Sequence, residues 1–382
     1  MKHIILFFLC YLFLFLYGVN FLSFSITDVK GMESFPFIKY ILDFSIYVFG
    51  HNDFAIRLPG VLISVFSLYL FYNTALFYLK RKDALLATYL YFLIPGVIVS
   101  SLIINKAIYL IFLTLLFVYL YHTLRKISYL VLILLAFIDY SFIPLFFSLI
   151  FFAVYKRDNV LVFLSLVLLA FNFFYFHYDI GGKPKGHFID LIGIYFLIFS
   201  PFVFVYFLYS LYKCLFFKKK NLIFFISAFS FLFSLILSFR QKIKVDDYAP
   251  FMVIFMICMV KVFLNSYRVR LPQFRTLHKL LFSILLFSLI SFDIGVFFNF
   301  STPARKLTSS YYFIKPLSKM LKQKKIDYIY SDNRAFVKAL NFYGIKKGNK
   351  YFIAYDKKHS QVSVIHNHKV LLKINVSKLN TI

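Results

Sequence analysis

The sequence predicts an all-α polytopic membrane protein of about eleven transmembrane helices, with a small C-terminal α/β domain. Three observations predict this class. Of the 382 residues, 62% are hydrophobic and only 15% are charged, whereas soluble domains average about 25% charged residues. Apolar runs long enough to cross a bilayer recur from residue 4 to residue 298. After Ser301, lysine, aspartate and asparagine become frequent, as is typical of a soluble module.

The candidate spans are mostly apolar runs of roughly the length needed to cross the hydrocarbon core. They cover residues 4–22, 58–79, 84–101, 107–121, 127–138, 141–155, 159–177, 188–212, 221–239, 248–264 and 279–298. The first span resembles a signal peptide, but no small-residue cleavage site follows it. It is therefore predicted to remain in the protein as the first helix.

Residues 127–155 could form either one long helix or a hairpin of two short helices. Asp139 and Tyr140 interrupt the apolar run midway, and Pro144 follows them. A charged aspartate at the middle of a single spanning helix would cost about 3 kcal/mol. The hairpin is therefore the favoured interpretation.

The distribution of charge predicts the orientation. The loops on the side of the N-terminus carry more lysine and arginine than the loops on the other side, which fits the positive-inside tendency. The N-terminus is expected in the cytoplasm, and the first loop and the C-terminal domain are expected outside the cytoplasmic (inner) membrane, in the cell envelope. The basic clusters lie at the ends of spans, where they set topology, so the net charge of +28 does not indicate nucleic-acid binding.

The chain is predicted to divide into a transmembrane domain, residues 1–300, and a soluble extracytoplasmic domain, residues 301–382. The C-terminal pattern predicts helices over 312–323 and 334–342, and strands over 326–330, 350–355, 361–366 and 369–376.

The chemistry is expected at the outer surface of the membrane. The apolar spans carry few ionisable groups, which disfavours a transporter that moves ions or protons through mid-membrane sites. The three cysteines lie within or at the cytoplasmic ends of spans, so no disulfide framework is predicted. The first outer loop, residues 24–60, holds the richest set of polar residues between spans.

A pattern in this loop resembles a known family. Residues 33–37 read Glu-Ser-Phe-Pro-Phe, Phe49-Gly50 follows, and residues 57–59 read Arg-Leu-Pro as the second span opens. This order resembles the first-loop signature of the GT-C superfamily of membrane glycosyltransferases, which use polyprenyl-phosphate-linked sugars. The nearest branch is the protein O-mannosyltransferase and 4-amino-arabinose lipid A transferase group, glycosyltransferase family 39-like. Looser matches are Ile94-Pro95-Gly96, Phe199-Ser200-Pro201 and residues 238–250.

The resemblance implies how such an enzyme would work. A first-loop carboxylate would act as base on an acceptor hydroxyl, while cations stabilise the lipid phosphate that leaves the sugar. Asp28 best matches the catalytic acid, and Glu33 is the next candidate. The implied ligands of the donor phosphate are Lys39, Lys183, Lys185, Arg240, Lys242 and Lys244. The residues that would support the site are Pro36, Arg57, Asn105 and Lys106, and Arg57 is expected to pair with Asp53 or Asp28.

Several of these residues also have a plain structural interpretation. Asp28 could cap the short helix that follows it, and Glu33 could be a solvated loop acid. Lys183 and Lys185 could belong to a simple turn. The cations at 240–244 could extend into the lipid headgroups.

The sequence departs from the family pattern at three positions. Ser34 stands where the family has a lysine, and Val29 stands where it has a second acid. Asn105-Lys106 stands where an aspartate is common. These departures keep open an alternative, a non-catalytic relative that binds a lipid-linked glycan or a partner protein.

No cofactor is indicated with certainty. Asp246 and Asp247 could bind a divalent metal through oxygen ligands, but two adjacent carboxylates are a weak signal. His177 and His187 lack a third ligand at a spacing typical of zinc sites. The expected partners are a polyprenyl-phosphate-linked sugar, a lipid, glycan or protein acceptor, and membrane lipids.

Overall fold

The computed structural model describes residues 2–177, 186–217, 220–298, 310–354, 362–366 and 369–378. The chain forms two compact units. The first contains Met1–Leu62, Leu102–Asn105 and Gly295–Ile382, and the second contains Ile63–Ser101 and Lys106–Ile294. The first unit thus joins the N-terminal helices to the C-terminal elements, whereas the predicted boundary at residue 300 was placed on composition alone.

The first unit begins with helix α1 (Lys2–Phe21), followed by α2 (Ile26–Ser34), α3 (Pro36–Phe49) and the start of α4 (Asp53–Leu76). Pro36 is the first residue of α3, where its missing N–H is tolerated. The short segment between α1 and α2 packs on the C-terminal elements, since the N–H and hydroxyl of Ser23 both donate to the carbonyl of Tyr311, at 2.7 and 2.6 Å.

The second unit holds most of the apolar helices. They are α5 (Arg81–Phe92), α6 (Pro95–Leu102), α7 (Ala107–Thr123), α8 (Arg125–Ile138), α9 (Ile143–Lys156), α10 (Asn159–Tyr175), α11 (Phe188–Phe199), α12 (Pro201–Leu215), α13 (Leu222–Ser238), α14 (Ala249–Val253), α15 (Met256–Val269) and α16 (Pro272–Phe298), of which α6 and α16 end in the first unit. Short 3₁₀ turns cover Tyr140–Phe142 and Val245–Asp247.

The C-terminal elements belong to the first unit. They are α17 (Ser310–Gln323), β1 (Tyr328–Tyr330), α18 (Arg334–Phe342), β2 (Lys346–Ala354), β3 (Val362–His366) and β4 (Lys369–Lys378). The four strands form a sheet in the order β1-β2-β4-β3, parallel between β1 and β2 and antiparallel elsewhere. Both helices lie where the sequence predicts them. β2 begins at Lys346 rather than at residue 350, because its first residues pair with β1.

Helix α18 shows why this segment folds as it does. The side chain of Asn333 accepts a hydrogen bond from the N–H of Phe336 at 3.2 Å, which caps the helix. Phe336, Ala339 and Leu340 recur at helical spacing and are fully buried.

The hairpin interpretation of residues 127–155 is confirmed. Helix α8 ends at Ile138, and α9 begins at Ile143 after a 3₁₀ turn. Arg125, at the start of α8, forms an ion pair with Asp158, just beyond the end of α9. The two helices therefore run antiparallel.

Two predicted spans are bent. Helices α5 and α6, expected as one span over 84–101, meet at 61°, and α11 and α12, expected as one span over 188–212, meet at 105°. Both bends precede a proline, Pro95 or Pro201, which disfavours helical geometry in the residue before it. At the second bend Ser200 has a positive φ of 65°.

Within the described residues, four helices are long and apolar enough to cross a membrane, and six if each bent pair is one span. The four long candidates are His3–Phe21, Asp53–Leu76, Ala249–Val269 and Pro272–Phe297. Shorter apolar helices of 10–17 residues cover Ala107–Thr123, Tyr140–Lys156, Asn159–Tyr175 and Leu222–Ser238. The chain is thus rich in apolar helices, and the predicted number of eleven crossings stays a prediction.

Candidate functional site

Helix α2 of the first loop starts with a reciprocal cap. The N–H of Asp28 donates to the Ser25 hydroxyl at 3.1 Å, and the N–H of Ser25 donates back to the Asp28 carboxylate at 3.0 Å. The cap residue is thus Ser25, and Asp28 is the third residue of the helix rather than the residue that precedes it.

Asp28 is also held by groups outside its helix. Its Oδ1 accepts a hydrogen bond from the N–H of Ile104 at 2.8 Å, and its Oδ2 accepts one from Arg57 at 3.2 Å. Arg57 donates further to the carbonyls of Leu102 and Ser23, at 2.8 and 2.9 Å. Asp28 has no exposed surface and Arg57 almost none. Of the two partners expected for Arg57, the structure has Asp28.

The ion pair of Asp28 and Arg57 therefore fastens α2 to two other segments of the first unit. Gly31 lets the backbone of α2 lie close to the backbone at Ile104. A Cβ atom added there would lie 2.3 Å from the carbonyl oxygen of Ile104, so only glycine allows the two backbones to approach this far. Asn105, one of the predicted supporting residues, directly follows Ile104 in the chain. The first loop is thus fixed by burial, charge and backbone packing together.

A cavity of about 330 Å³ opens beside this anchored segment. Most of its wall is apolar, and the polar side chains that line it are Glu33, Lys39, His51, Lys338 and Asn341. We call it the first-loop cavity. Two residues that the sequence singles out, Glu33 and Lys39, thus line one cavity, and α18 of the C-terminal elements contributes Lys338.

Glu33 and Lys338 form an ion pair across the cavity, with 2.5 Å between Nζ and Oε1. The side chains are 53% and 60% exposed, respectively. Such surface pairs contribute only about 0–1 kcal/mol, so a ligand can replace either partner at little cost. The structure gives Lys39 no ion pair within the described ranges, which leaves its ammonium free.

This arrangement has a defined chemical capacity. An accessible carboxylate can take a proton from a hydroxyl placed within hydrogen-bond distance. Two lysine ammonium groups can donate charge-assisted hydrogen bonds to phosphate oxygens. The apolar remainder of the wall suits the hydrocarbon or the sugar ring of a ligand.

A second cluster in the first unit holds α17 and α18 against the start of α4. The carboxylate of Asp53 accepts hydrogen bonds from Lys315 and from the Tyr343 hydroxyl, each at 2.6 Å. The same hydroxyl accepts the N–H of Phe24 at 2.7 Å. Burial first, and then the Asp53 charge, raises the pKa of Tyr343, so this phenol stays a neutral donor. The cluster positions α18, and with it Lys338.

The second unit contains a separate buried charge cluster. Lys106 forms ion pairs with Asp139, at 3.4 Å, and with Asp247. It also donates to the Ser141 hydroxyl at 2.7 Å. That hydroxyl lies 2.6 Å from an Asp139 oxygen and 2.8 Å from an Asp247 oxygen, so its single proton is within reach of either carboxylate. All four side chains are buried. Burial lowers the pKa of Lys106, but the two carboxylates outweigh burial and raise it above its ordinary value.

The Lys106 cluster bears on the metal hypothesis. The carboxylate of Asp247 is already bonded to an ammonium group and a hydroxyl, while the adjacent Asp246 is exposed. Among the described residues, no three His, Cys, Asp or Glu side chains are grouped so that they could hold a metal. The pair Asp246 and Asp247 therefore does not fit a divalent-metal site.

The other predicted phosphate ligands are placed only in part. Arg240, Lys242 and Lys244 are exposed in the loop between α13 and α14. Lys183 and Lys185 lie outside the described residues. The role of all five as ligands of the donor phosphate stays a prediction.

Comparison with known proteins finds a family match. The model of the dolichyl-phosphate-mannose-protein mannosyltransferase family matches residues 33–178. This is less than half of the chain, and it includes Glu33, Lys39 and Arg57 but not Asp28. The predicted resemblance to the GT-C superfamily is confirmed.

Two solved structures are also similar to this chain. They are ArnT from Cupriavidus metallidurans in the apo state and the same protein bound to undecaprenyl phosphate. Each is 9% identical, with a TM-score of 0.49, over 90% of this chain and 74% or 75% of the matched chain. No curated protein sequence matches the chain.

Sequence reasoning missed four features of the chain, namely Lys338, the Asp53 cluster, the partners of Lys106 and the helix cap at Ser25. Lys338 and the Asp53 cluster lie in segments that the signature does not reach. The partners of Lys106 were missed because Asp139 appeared only as a helix break and Asp247 only as a metal candidate. The one signal that could have found the helix cap is the Ser25-x-x-Asp28 spacing, which resembles a capping box.

Proposed function

We propose that the protein is an integral membrane glycosyltransferase of the GT-C type. It would move a hexose or pentose from a polyprenyl-phosphate donor to a lipid, glycan or protein acceptor on the outer side of the cytoplasmic membrane. The observation that carries the proposal is the family match over residues 33–178, which starts in the first loop. The first-loop cavity supports it, because a carboxylate and two lysines line the same space.

In the proposed reaction, Glu33 takes the proton of the acceptor hydroxyl as its oxygen attacks the anomeric carbon. The new carbon–oxygen bond forms as the bond between that carbon and the phosphate oxygen breaks, and the electron pair leaves with the phosphate. Lys39 and Lys338 would stabilise the added negative charge. Binding of the phosphate would separate Lys338 from Glu33 and free the carboxylate to act as base.

The geometry favours Glu33 over Asp28 as the base. Both Asp28 oxygens accept hydrogen bonds, and the side chain has no surface that an acceptor could reach. Glu33 has half of its side chain exposed and one ionic partner. We assign Asp28 to holding α2, and with it Glu33, in position.

The proposal is tested with the purified protein in liposomes that contain polyprenyl-phosphate-linked sugars, one sugar at a time. The expected result is release of polyprenyl phosphate with at least one donor, lost in Glu33→Gln. A matched control is Glu33→Asp, which keeps the carboxylate and should retain part of the rate.

A second candidate function is a non-catalytic GT-C-like protein that binds a lipid-linked glycan or a partner protein. The saturated hydrogen bonding of Asp28 and the replacement of the family lysine by Ser34 favour it. Its signature would be lipid-phosphate binding that weakens when Lys39 and Lys338 are both changed to alanine, without turnover of any donor.

A further inference from the structure

A polar cavity of about 500 Å³ lies within the second unit. It is separate from every residue assigned to sugar transfer. Five segments meet around it, and the residues that line it are Tyr78, Tyr121, His122, Arg125, Phe152, Lys156, Asp158, Lys220, Asn221, Leu222 and Lys261. We call it the basic pocket. In the predicted topology of eleven spans, these segments lie at the span ends on the side of the N-terminus, which is the cytoplasmic side.

The charge of the basic pocket is largely unbalanced. Arg125 is neutralised by its ion pair with Asp158. Three further cations, Lys156, Lys220 and Lys261, also line the pocket, and the structure gives their ammonium groups no ion pair in the parts of the chain that it describes. Cations gathered around one space repel each other, and a bound anion relieves that repulsion.

Lys261 is the least expected of the three. It lies on α15, between Val260 and Val262, which are both buried. A charged residue on so apolar a helix is costly and is typically retained where it pairs with an opposite charge or serves a site. Lys261 is half-buried and lines the pocket. Its ammonium has no carboxylate partner in the described residues, so the missing negative charge points to a ligand.

The walls of the pocket are held in place by groups other than these lysines. The Tyr78 hydroxyl and His122 Nε2 are 2.6 Å apart. Arg125 donates to the Tyr129 hydroxyl at 3.0 Å as well as to Asp158. Asn221 caps α13 by accepting the N–H of Phe224 at 3.0 Å. The frame is thus fixed internally, while the three lysines keep all their donors for another molecule.

We propose that the basic pocket binds a phosphate-bearing anion. The three lysines would donate charge-assisted hydrogen bonds to its oxygens, and the volume is that of a small-molecule site. The anion is either the headgroup of an anionic lipid or a soluble phosphate compound. Charges that only set topology need to lie near helix ends, and they would not require convergence on one cavity or a lysine on α15.

The test uses the full-length protein in two settings. In uncharged detergent, binding of pyrophosphate is titrated by calorimetry. In nanodiscs, the melting temperature is compared between phosphatidylcholine alone and phosphatidylcholine with phosphatidylglycerol. The pocket variant combines Lys156→Ala, Lys220→Ala and Lys261→Ala. The matched control combines Lys80→Ala, Lys82→Ala and Lys126→Ala, which removes three exposed lysines that do not line the pocket.

We expect the pocket variant to bind about tenfold more weakly or not at all, and the control to stay within about twofold of the unmodified protein. Loss of pyrophosphate binding identifies a soluble phosphate as the ligand class. Loss of the phosphatidylglycerol effect, with pyrophosphate inert, identifies a lipid headgroup. The proposal is overturned if neither probe acts on the unmodified protein, or if the control loses as much as the pocket variant.

A gentler variant keeps the test valid if the triple substitution prevents folding. Lys156→Gln with Lys220→Gln keeps a polar side chain only one atom shorter at each position and leaves Lys261 on its helix. This variant should also bind the probe more weakly than the unmodified protein, but by a smaller factor than the triple variant. Unchanged binding in this folded variant would also overturn the proposal. Sugar transfer by the pocket variants should stay unchanged, so this test and that of the transferase can fail independently.

Discussion

The two carboxylates of α2, Asp28 and Glu33, lie in opposite environments. Asp28 is 0% exposed and is bonded on both oxygens by Arg57 and by backbone N–H groups. Glu33 is 53% exposed and meets one lysine across a cavity. A buried carboxylate whose oxygens already accept hydrogen bonds from the protein stabilises the fold. An accessible carboxylate can exchange its one partner for a ligand. Family position alone would have favoured Asp28 for chemistry, and accessibility favours Glu33.

The largest expected effect on stability is that of removing the partner of the buried carboxylate. Arg57→Ala leaves Asp28 buried without its counter-charge, and breaking such pairs costs about 3–5 kcal/mol. The measurement is the free energy of unfolding, or the melting temperature, of the purified protein in detergent. Lys338→Ala removes the partner of Glu33 and is the matched control. Equal losses in the two variants would contradict the contrast between the two acids.

The Lys106 cluster extends the comparison to the second unit. Lys106→Met should cost about 3 kcal/mol, because Asp139 and Asp247 then stay buried without their cation. Since the folded-state pKa of Lys106 lies above the ordinary 10.5, its stabilising contribution is complete below that pH and is lost as the pH rises through the folded-state value. Melting temperatures recorded against pH should show this alkaline decline in the unmodified protein and not in Lys106→Met. An unchanged alkaline decline in the variant would rule out Lys106 as its source.

Tyr343→Phe sharpens the account of how the C-terminal elements support the cavity. It removes one donor to Asp53 and the acceptor of the Phe24 N–H, with an expected cost of about 1–3 kcal/mol. Chemical denaturation reports the stability, and limited proteolysis around α18 reports the local effect. Tyr330→Phe, on a partly exposed strand residue, serves as the control. An equal loss of stability in Tyr343→Phe and Tyr330→Phe would show that the Asp53 cluster does not hold α18 in place.

The smallest effect on stability is predicted for Lys338→Ala, under about 1 kcal/mol, since both members of its pair are largely exposed. The same change should raise the KM for a polyprenyl-phosphate donor about tenfold, because one charge-assisted contact with the phosphate is lost. Steady-state kinetics in liposomes measure it, with Lys347→Ala as a control of equal charge. An unchanged KM would remove Lys338 from the donor site.

The sequence was sufficient to predict the structural features that local patterns determine. Apolar runs predicted the membrane helices, the break at Asp139 predicted the α8–α9 hairpin, and helical spacing of apolar residues predicted α18. The prolines at 95 and 201 also signalled the two bends, although the spans there were expected to be continuous. These features follow from neighbours in the chain.

Ion pairs between residues far apart in the chain could not be predicted from local sequence patterns. Glu33 and Lys338 are 305 positions apart, and Lys315 and Asp53 are 262 apart. Any acid of the first loop could have met any of many lysines, and only the fold selects the pairs. For the same reason the burial of Asp28, which decides between its two possible roles, is a property of the tertiary structure.

The central claim is that the accessible acid performs the chemistry and the buried one holds the loop. The most direct test is turnover per folded molecule, with folded protein counted by size-exclusion chromatography, for Glu33→Gln and Asp28→Asn side by side. The account predicts a loss of about 100-fold or more for Glu33→Gln. For Asp28→Asn it predicts a lower yield of folded protein, with turnover of each folded molecule largely retained. A stable, abundant and inactive Asp28→Asn beside an active Glu33→Gln would contradict it.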